Sequence, residues 1–359
     1  MVADNNINRC HTAILNNRNS LEFITPVSFL LSLMIVFHHS FTVNVDYNGS
    51  FLPQSYGWTI GVQRFMYNLS ECAVPMFYFL SAFLFYRTFD GSWSQYKEKI
   101  RRRFFSLFLP YVIFCTFGYV KHLSVIGLGG GNFAGYINSL WVCDTMPLWF
   151  IRELMALSLL APVIYRLIRK PFWTLQISII LLFLITIGII PYRSFLYWIP
   201  IYIMGAMLDK KILSKLYILM EKRSALCCSI VICVMYIIWA WLLPNGISRA
   251  DMTWGQNLDF MMFRVGTPLV LLPLTWLLFR YHIRDRKFMK YSFFVYCMHF
   301  PVITIIRLVL DRVLGSSLYI ELIKYLMIVV ASYSICVAMA VMIQRHLPSV
   351  WYVINGHRR

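Results

Sequence analysis

Two adjacent histidines close an apolar run, IVFHHS over Ile35–Ser40, and imidazole is the side chain best suited to accept a proton near neutral pH. Further groups that could do chemistry sit inside apolar sequence: Glu71, Arg152, Glu153, Arg264, His299 and Arg307. A charge within hydrocarbon is costly unless it faces protein or water, so each is a candidate for a polar cavity. The competing explanation for each is an ion pair that ties helices together, Glu71 with Arg264 for example. Helical geometry separates the two histidines. Eleven residues make about three turns, so Ser28 and His39 share a face with Ser32 between them. His38 shares its face with Val27, Leu31 and Thr42, which suits a structural or interfacial histidine. His39 is therefore the cavity-facing candidate. The nine cysteines show no CxxC or other metal spacing, so they read as small apolar packing residues, and no metal is expected.

The elements that must position these groups are membrane helices. The chain is 59% hydrophobic and 13% charged, against about 25% charged in soluble domains. Its net charge of +18 could point to nucleic acid, but the basic residues lie between apolar segments, and no nucleic-acid partner is expected. Ten apolar stretches approach the length that spans a bilayer, at 23–43, 69–89, 104–123, 147–167, 173–190, 194–209, 225–244, 258–279, 291–311 and 320–343. With the N-terminus cytoplasmic and the segments alternating, inside regions hold 24 of the 33 Lys and Arg and outside loops 4. The expected fold is all-α: a polytopic membrane protein of about ten transmembrane helices in one bundle, both termini cytoplasmic. Residues 1–22 form a cytoplasmic tail without signal-peptide character, 23–345 the membrane-embedded domain and 346–359 a second cytoplasmic tail. The glycine run at Gly127–Asn132 has no preceding strand and no following Gly-Lys-Ser, so it reads as a flexible loop. The lipid bilayer is the first partner, and a transporter, flippase or non-catalytic scaffold fits this composition as well as an enzyme does.

Six stretches, in order, resemble the acyltransferase 3 family of integral-membrane acyltransferases. They are SLEFITPVSFLLSLMIVFHHS, AVPMFYFLSAFLFYRTF, KEKIRRRFFSLFLPY, PLWFIRELMALSLLAPVIY, IPIYIMGAMLDKK and SFFVYCMHFPV. The resemblance covers nearly the whole chain. It implies transfer of an acyl group, commonly acetyl from cytoplasmic acetyl-CoA, to a hydroxyl of a surface polysaccharide or lipid-linked glycan at a bacterial cytoplasmic membrane. The histidine of the family's first helix aligns with His39. Two departures are Ser28, where the family carries arginine, and Ala82, where it carries glycine. On this reading His39 is the general base or, less directly, an acyl-carrying nucleophile. Glu71 or Glu153 would orient its ring, and Arg152 or Arg264 would stabilise the oxyanion or bind substrate. Arg102 and Arg103 would hold CoA phosphates, since guanidinium forks match phosphate oxygens. His299 is a second catalytic or donor-site candidate or a bundle hydrogen bonder, and Trp149 packs or lines the cavity.

Overall fold

The computed structural model describes residues 23–42, 57–126, 131–208, 223–244, 252–280, 286–314 and 318–358, with Ile212, Lys215 and Leu219 as isolated positions. The predicted tail at 1–22 and residues 127–130 of the glycine run lie outside the described residues. All regular structure among the described residues is helical. The helices, in order, are α1 (Ile24–His39), α2 (Gly57–Ser70), α3 (Ala73–Tyr86), α4 (Trp93–Arg103) and, after a π-helical turn at Phe104–Phe108, α5 (Leu109–Ile126). Next come α6 (Phe133–Val142), α7 (Trp149–Leu159), α8 (Ala161–Ile168), α9 (Pro171–Thr186), α10 (Phe195–Met207) and α11 (Arg223–Leu242). The last are α12 (Trp254–Arg280), α13 (Ser292–Leu314), α14 (Leu318–His346) and α15 (Pro348–Ile354).

Each of the ten predicted stretches maps onto helix, but the helices divide differently. Four described stretches are long and apolar enough to cross a membrane: Trp58–Tyr86, Trp93–Leu123, Lys287–Leu314 and Tyr319–His346. A fifth arises if α8 and α9, bent by 118°, form one broken span. The stretch predicted at 147–167 is interrupted at Leu160. Pro162 has no N–H for the Ser158 carbonyl, and its ring crowds that turn, so α7 ends and α8 restarts. Tyr side chains serve backbone at the break: the Tyr96 hydroxyl donates to the Leu159 carbonyl at 2.9 Å and that of Tyr86 to Ala161 at 3.2 Å. The stretch 44–68, expected as a loop, carries α2, which leads through the turn at Glu71–Cys72 into α3. Glu71 thus lies near the middle of the Trp58–Tyr86 stretch, whereas the topology expected it near a span's start.

The bundle is held chiefly by α3 on α10, α14 on α13 and α13 on α1. Gly205 permits the first contact, because a Cβ there would meet the Phe79 carbonyl oxygen at 2.1 Å. Apolar side chains such as Ile179 and Phe183 on α9, Val231 and Met235 on α11 and Val330 and Met342 on α14 are exposed, as a lipid-facing surface requires. Two local signals define the short segment between α9 and α10. Gly188, at φ +81°, ends α9 with the bonds Gly188 N–H to Ile185 O and Ile189 N–H to Leu184 O, a paired closure that favours glycine at the left-handed position. Ser194 caps α10 by accepting from the Leu196 N–H at 3.3 Å.

Candidate active site

The histidine pair separates at the C-terminal end of α1. His38 turns to α2: its ring stacks on Tyr67 at 4.1 Å, and its Nδ1 lies 2.8 Å from Ser70 Oγ. Ser70 commits its single proton to the Tyr67 carbonyl at 2.6 Å, so the His38 Nδ1–H is the donor. His39 turns instead to α13, its ring 5.1 Å from that of His299 and 5.7 Å from that of Phe300. The His39 ring is half-buried, and among the described residues no side chain hydrogen-bonds its nitrogens. Ser32, expected on the same stripe, is fully buried and bonds the Tyr333 hydroxyl of α14 at 3.0 Å, so that stripe is closed one helix away.

His299 is buried at 1% exposure, with Nδ1 2.7 Å from the Tyr296 carbonyl. A carbonyl only accepts, so Nδ1 carries the proton and the neutral ring presents its lone pair at Nε2. That Nε2 is buried and has no hydrogen-bond partner among the described residues. Two turns further along α13, Arg307 donates from Nη2 to the His39 carbonyl at 3.1 Å and fixes the end of α1. The chain just beyond is held too: Ser40 Oγ donates to Val36 O, and Thr42 Oγ1 donates to Glu321 O at 2.9 Å while accepting from Gln63 Nε2 at 3.0 Å.

Two ion pairs complete the neighbourhood. Glu71, at the turn that carries it next to Ser70, accepts from Arg264 Nε at 3.0 Å and Nη2 at 2.7 Å, and both residues are 3% exposed. The guanidinium also donates to the Tyr197 hydroxyl and lies 4.6 Å from the Tyr192 ring and 5.1 Å from that of Phe260. On α7, Arg152 donates from Nε to its neighbour Glu153 at 2.8 Å, and its guanidinium sits 5.3 Å from the Trp141 ring. The segment between α9 and α10 joins the two pairs. The Tyr192 hydroxyl donates to Glu71 Oε2 at 3.5 Å, while the Arg193 carbonyl accepts from Arg152 Nη2 at 3.3 Å. Arg193 also lies within electrostatic range of His39, as does Arg307.

The structure therefore brings His39 and His299 into direct contact and links Glu71, Arg264, Arg152 and Glu153 through one loop. Glu71 and Arg264 form the helix-tying pair that the sequence offered as the alternative to a catalytic role. Trp149 packs among aromatics, 5.1 Å from Tyr192 and 6.0 Å from Trp198. Arg102 and Arg103 lie elsewhere. Arg103 donates to the Ser81 carbonyl at 3.2 Å, near the far end of α3, roughly 15–20 Å from Glu71 at 1.5 Å per residue. Arg102 is exposed and pairs with Glu98 one turn before it. Sequence reasoning named Arg307 as a polar-cavity candidate but gave it no specific role, and it did not single out Tyr192 or Arg193. The spacing of Arg307 from His299, two turns on one face, carried that signal; the loop residues had no periodic one.

A profile of the acyltransferase 3 family, described as an acyltransferase domain, matches residues 29–341. The chain belongs to this family. No curated protein and no solved structure matches it significantly. For an acyltransferase of the membrane, the matched segment takes in His39, both ion pairs, Arg102, Arg103 and His299, and begins one residue past Ser28. The groups just described thus belong to the acyltransferase domain itself. Its chemistry, displacement at an acyl carbonyl, calls for a base and for donors aimed at a developing oxyanion.

Proposed function

We propose that this acyltransferase moves an acetyl group from acetyl-CoA to a hydroxyl of a surface polysaccharide or lipid-linked glycan, with His39 as general base. The observation that carries the reading is the half-buried His39 ring, unengaged by any described hydrogen-bonding side chain and set against His299. The His299 Nε2, without a partner among the described residues, offers an acceptor for one His39 N–H, which would leave the lone pair on the opposite nitrogen for the acceptor hydroxyl. As that oxygen bonds to the thioester carbon and the carbon–sulfur bond breaks, His39 takes the hydroxyl proton and returns it to the departing thiolate. Arg193 and Arg307 supply positive potential near the developing oxyanion.

Acetyl-CoA supplies the activated acyl group. The cationic face of α4, with Arg101 and Arg102 exposed and Arg103 behind them, has the chemistry to hold its phosphates. The extended arm of CoA would then bridge the length of α3 to His39. In this reading α1, α7 with α8, α9, α10, α11 and α12 also cross the bilayer beside the four long stretches, giving about ten crossings. Both termini lie in the cytoplasm of a bacterial cell, and the membrane domain spans residues 23–345.

Membranes containing the protein, labelled acetyl-CoA and a candidate glycan give the test. His39→Ala should abolish transfer, and His38→Ala should retain most of it. Unchanged transfer in His39→Ala would refute the assignment, and glycan movement without acylation would favour transport.

A further inference from the structure

The end of α1 is closed into a ring of contacts with α13 and α14. Arg307 of α13 donates to the His39 carbonyl at 3.1 Å. One turn further along α13, Asp311 shares its face, as positions four apart do. Lys324 of α14 donates to Asp311 Oδ1 at 2.8 Å and to Glu321 Oε1 at 3.0 Å. The Glu321 carbonyl accepts from Thr42 Oγ1 at 2.9 Å, just beyond His39, and the circuit is complete. Two polar atoms of that ring are buried and have no hydrogen-bond partner among the described residues: Arg307 Nε and Glu321 Oε2. Glu321 is 4% exposed, and the bond that links its Oε1 through Lys324 to Asp311 turns the carboxylate toward α13. The Asp311 side chain is 50% exposed, so the ring opens on that side.

These two atoms are complementary. The Nε–H only donates and the carboxylate oxygen only accepts, so one hydroxyl set between them accepts from the first and donates to the second. Buried polar groups left unpaired are costly, and two of matching polarity in one ring point to a ligand group. The two cations of the ring balance its two carboxylates, which favours a neutral ligand over a phosphate. A carbohydrate meets both demands, because its hydroxyls are uncharged, each is donor and acceptor, and they come in neighbouring pairs. We propose that Arg307 and Glu321 form the acceptor-glycan subsite and bind a hydroxyl next to the one that His39 deprotonates. This subsite rests on the acyl-transfer reading and places its acceptor. The ring lies where α1 and α13 end and α14 begins, whereas Arg103 sits near the far end of α3. Donor and acceptor would thus reach His39 from opposite ends of the bundle. Beside the ring, the exposed side chains of Trp58 and Tyr319, with ring centroids 5.9 Å apart, offer flat apolar faces on which a sugar can pack.

The test measures binding as well as turnover, with the full chain in nanodiscs. The probe is radiolabelled, de-O-acetylated lipid-linked glycan extracted from the cells that make the protein. Glu321→Gln keeps an oxygen for Lys324 and puts an NH2 where the unpaired oxygen stood, so glycan retention should weaken at least about tenfold. KM for the glycan should rise to match, with KM for acetyl-CoA unchanged. Arg307→Lys keeps a cation for the His39 carbonyl but lacks the Nε–H, so it should weaken retention in the same way and decides the matter if Glu321→Gln does not fold. His39→Ala should retain the glycan while losing transfer. Wild-type retention in both subsite variants, or no retention by the wild-type chain, would overturn the subsite even if His39→Ala abolishes transfer. An equal rise in KM for glycan and acetyl-CoA would overturn it too, marking the ring as structural alone. Glycan held through Arg307 and Glu321 without any acyl transfer would keep the subsite and refute the acyl-transfer reading instead.

Discussion

The Glu71–Arg264 pair permits a quantitative test of its structural role. Both side chains are almost fully buried, at 1% and 4% side-chain exposure, and one carboxylate oxygen receives two guanidinium N–H groups. Removing one partner of such a pair strands the other charge and costs about 3–5 kcal/mol. Arg264→Met, which leaves the Glu71 carboxylate buried, should lie at the upper end. Glu71→Gln should lie at the lower end, because the guanidinium keeps Tyr197 and the faces of Tyr192 and Phe260. The double variant removes both charges, so its loss should fall short of the sum by about 2 kcal/mol or more. At roughly 2 °C per kcal/mol for a chain of this size, the single variants should melt about 6–10 °C lower in detergent. Tryptophan fluorescence during thermal unfolding reads the shift. A coupling energy indistinguishable from zero would mean that the pair does not tie α12 to the α2–α3 turn.

Arg307→Gln weakens a charged hydrogen bond to the His39 carbonyl, a loss of about 1.5–3 kcal/mol. Acyl transfer should fall, with Arg307→Lys recovering part of it and the melting temperature moving less than for Arg264→Met. Gly205→Ala forces a methyl into the Phe79 carbonyl. It should destabilise the fold by about 1–3 kcal/mol, seen as a lower melting temperature. Arg102→Ala removes an exposed pair and should shift stability by under about 0.5 kcal/mol, yet raise KM for acetyl-CoA if α4 holds its phosphates. His38→Ala should leave KM for acetyl-CoA unchanged, because the ring faces Tyr67 and Ser70 on α2.

The helices were legible because bilayer-length apolar runs are written locally in sequence. The split between His38 and His39 was legible for the same kind of reason: one residue of helix turns the side chain by about 100°. Segment α2 was not, since Gln63, Arg64 and Asn68 make it read as a polar loop. Its polar groups are satisfied far along the chain, Asn68 Nδ2 by the Ala240 carbonyl at 2.9 Å and Gln63 by Thr42. The break at Leu160 was signalled by Pro162 but masked by uninterrupted hydrophobicity. Arg264 could be named as a partner of Glu71 because both are costly in hydrocarbon. Nothing local marked Tyr192 and Arg193, whose partners are 121 and 41 residues away.

That short connection between α9 and α10 constrains how the protein can diverge. It acts as a yoke: one residue reaches the α2–α3 turn through a hydroxyl, and the next reaches α7 through its main chain. The second bond is indifferent to side chain, so Arg152 keeps its anchor whatever residue stands at 193, and only the charge near His39 constrains identity there. Length carries no such freedom. A one-residue insertion between the Gly188 turn and the Ser194 cap would slide both contacts out of register and release the two ion pairs together. Drift in this loop should therefore proceed by substitution, with insertions and deletions displaced to other connections of the bundle.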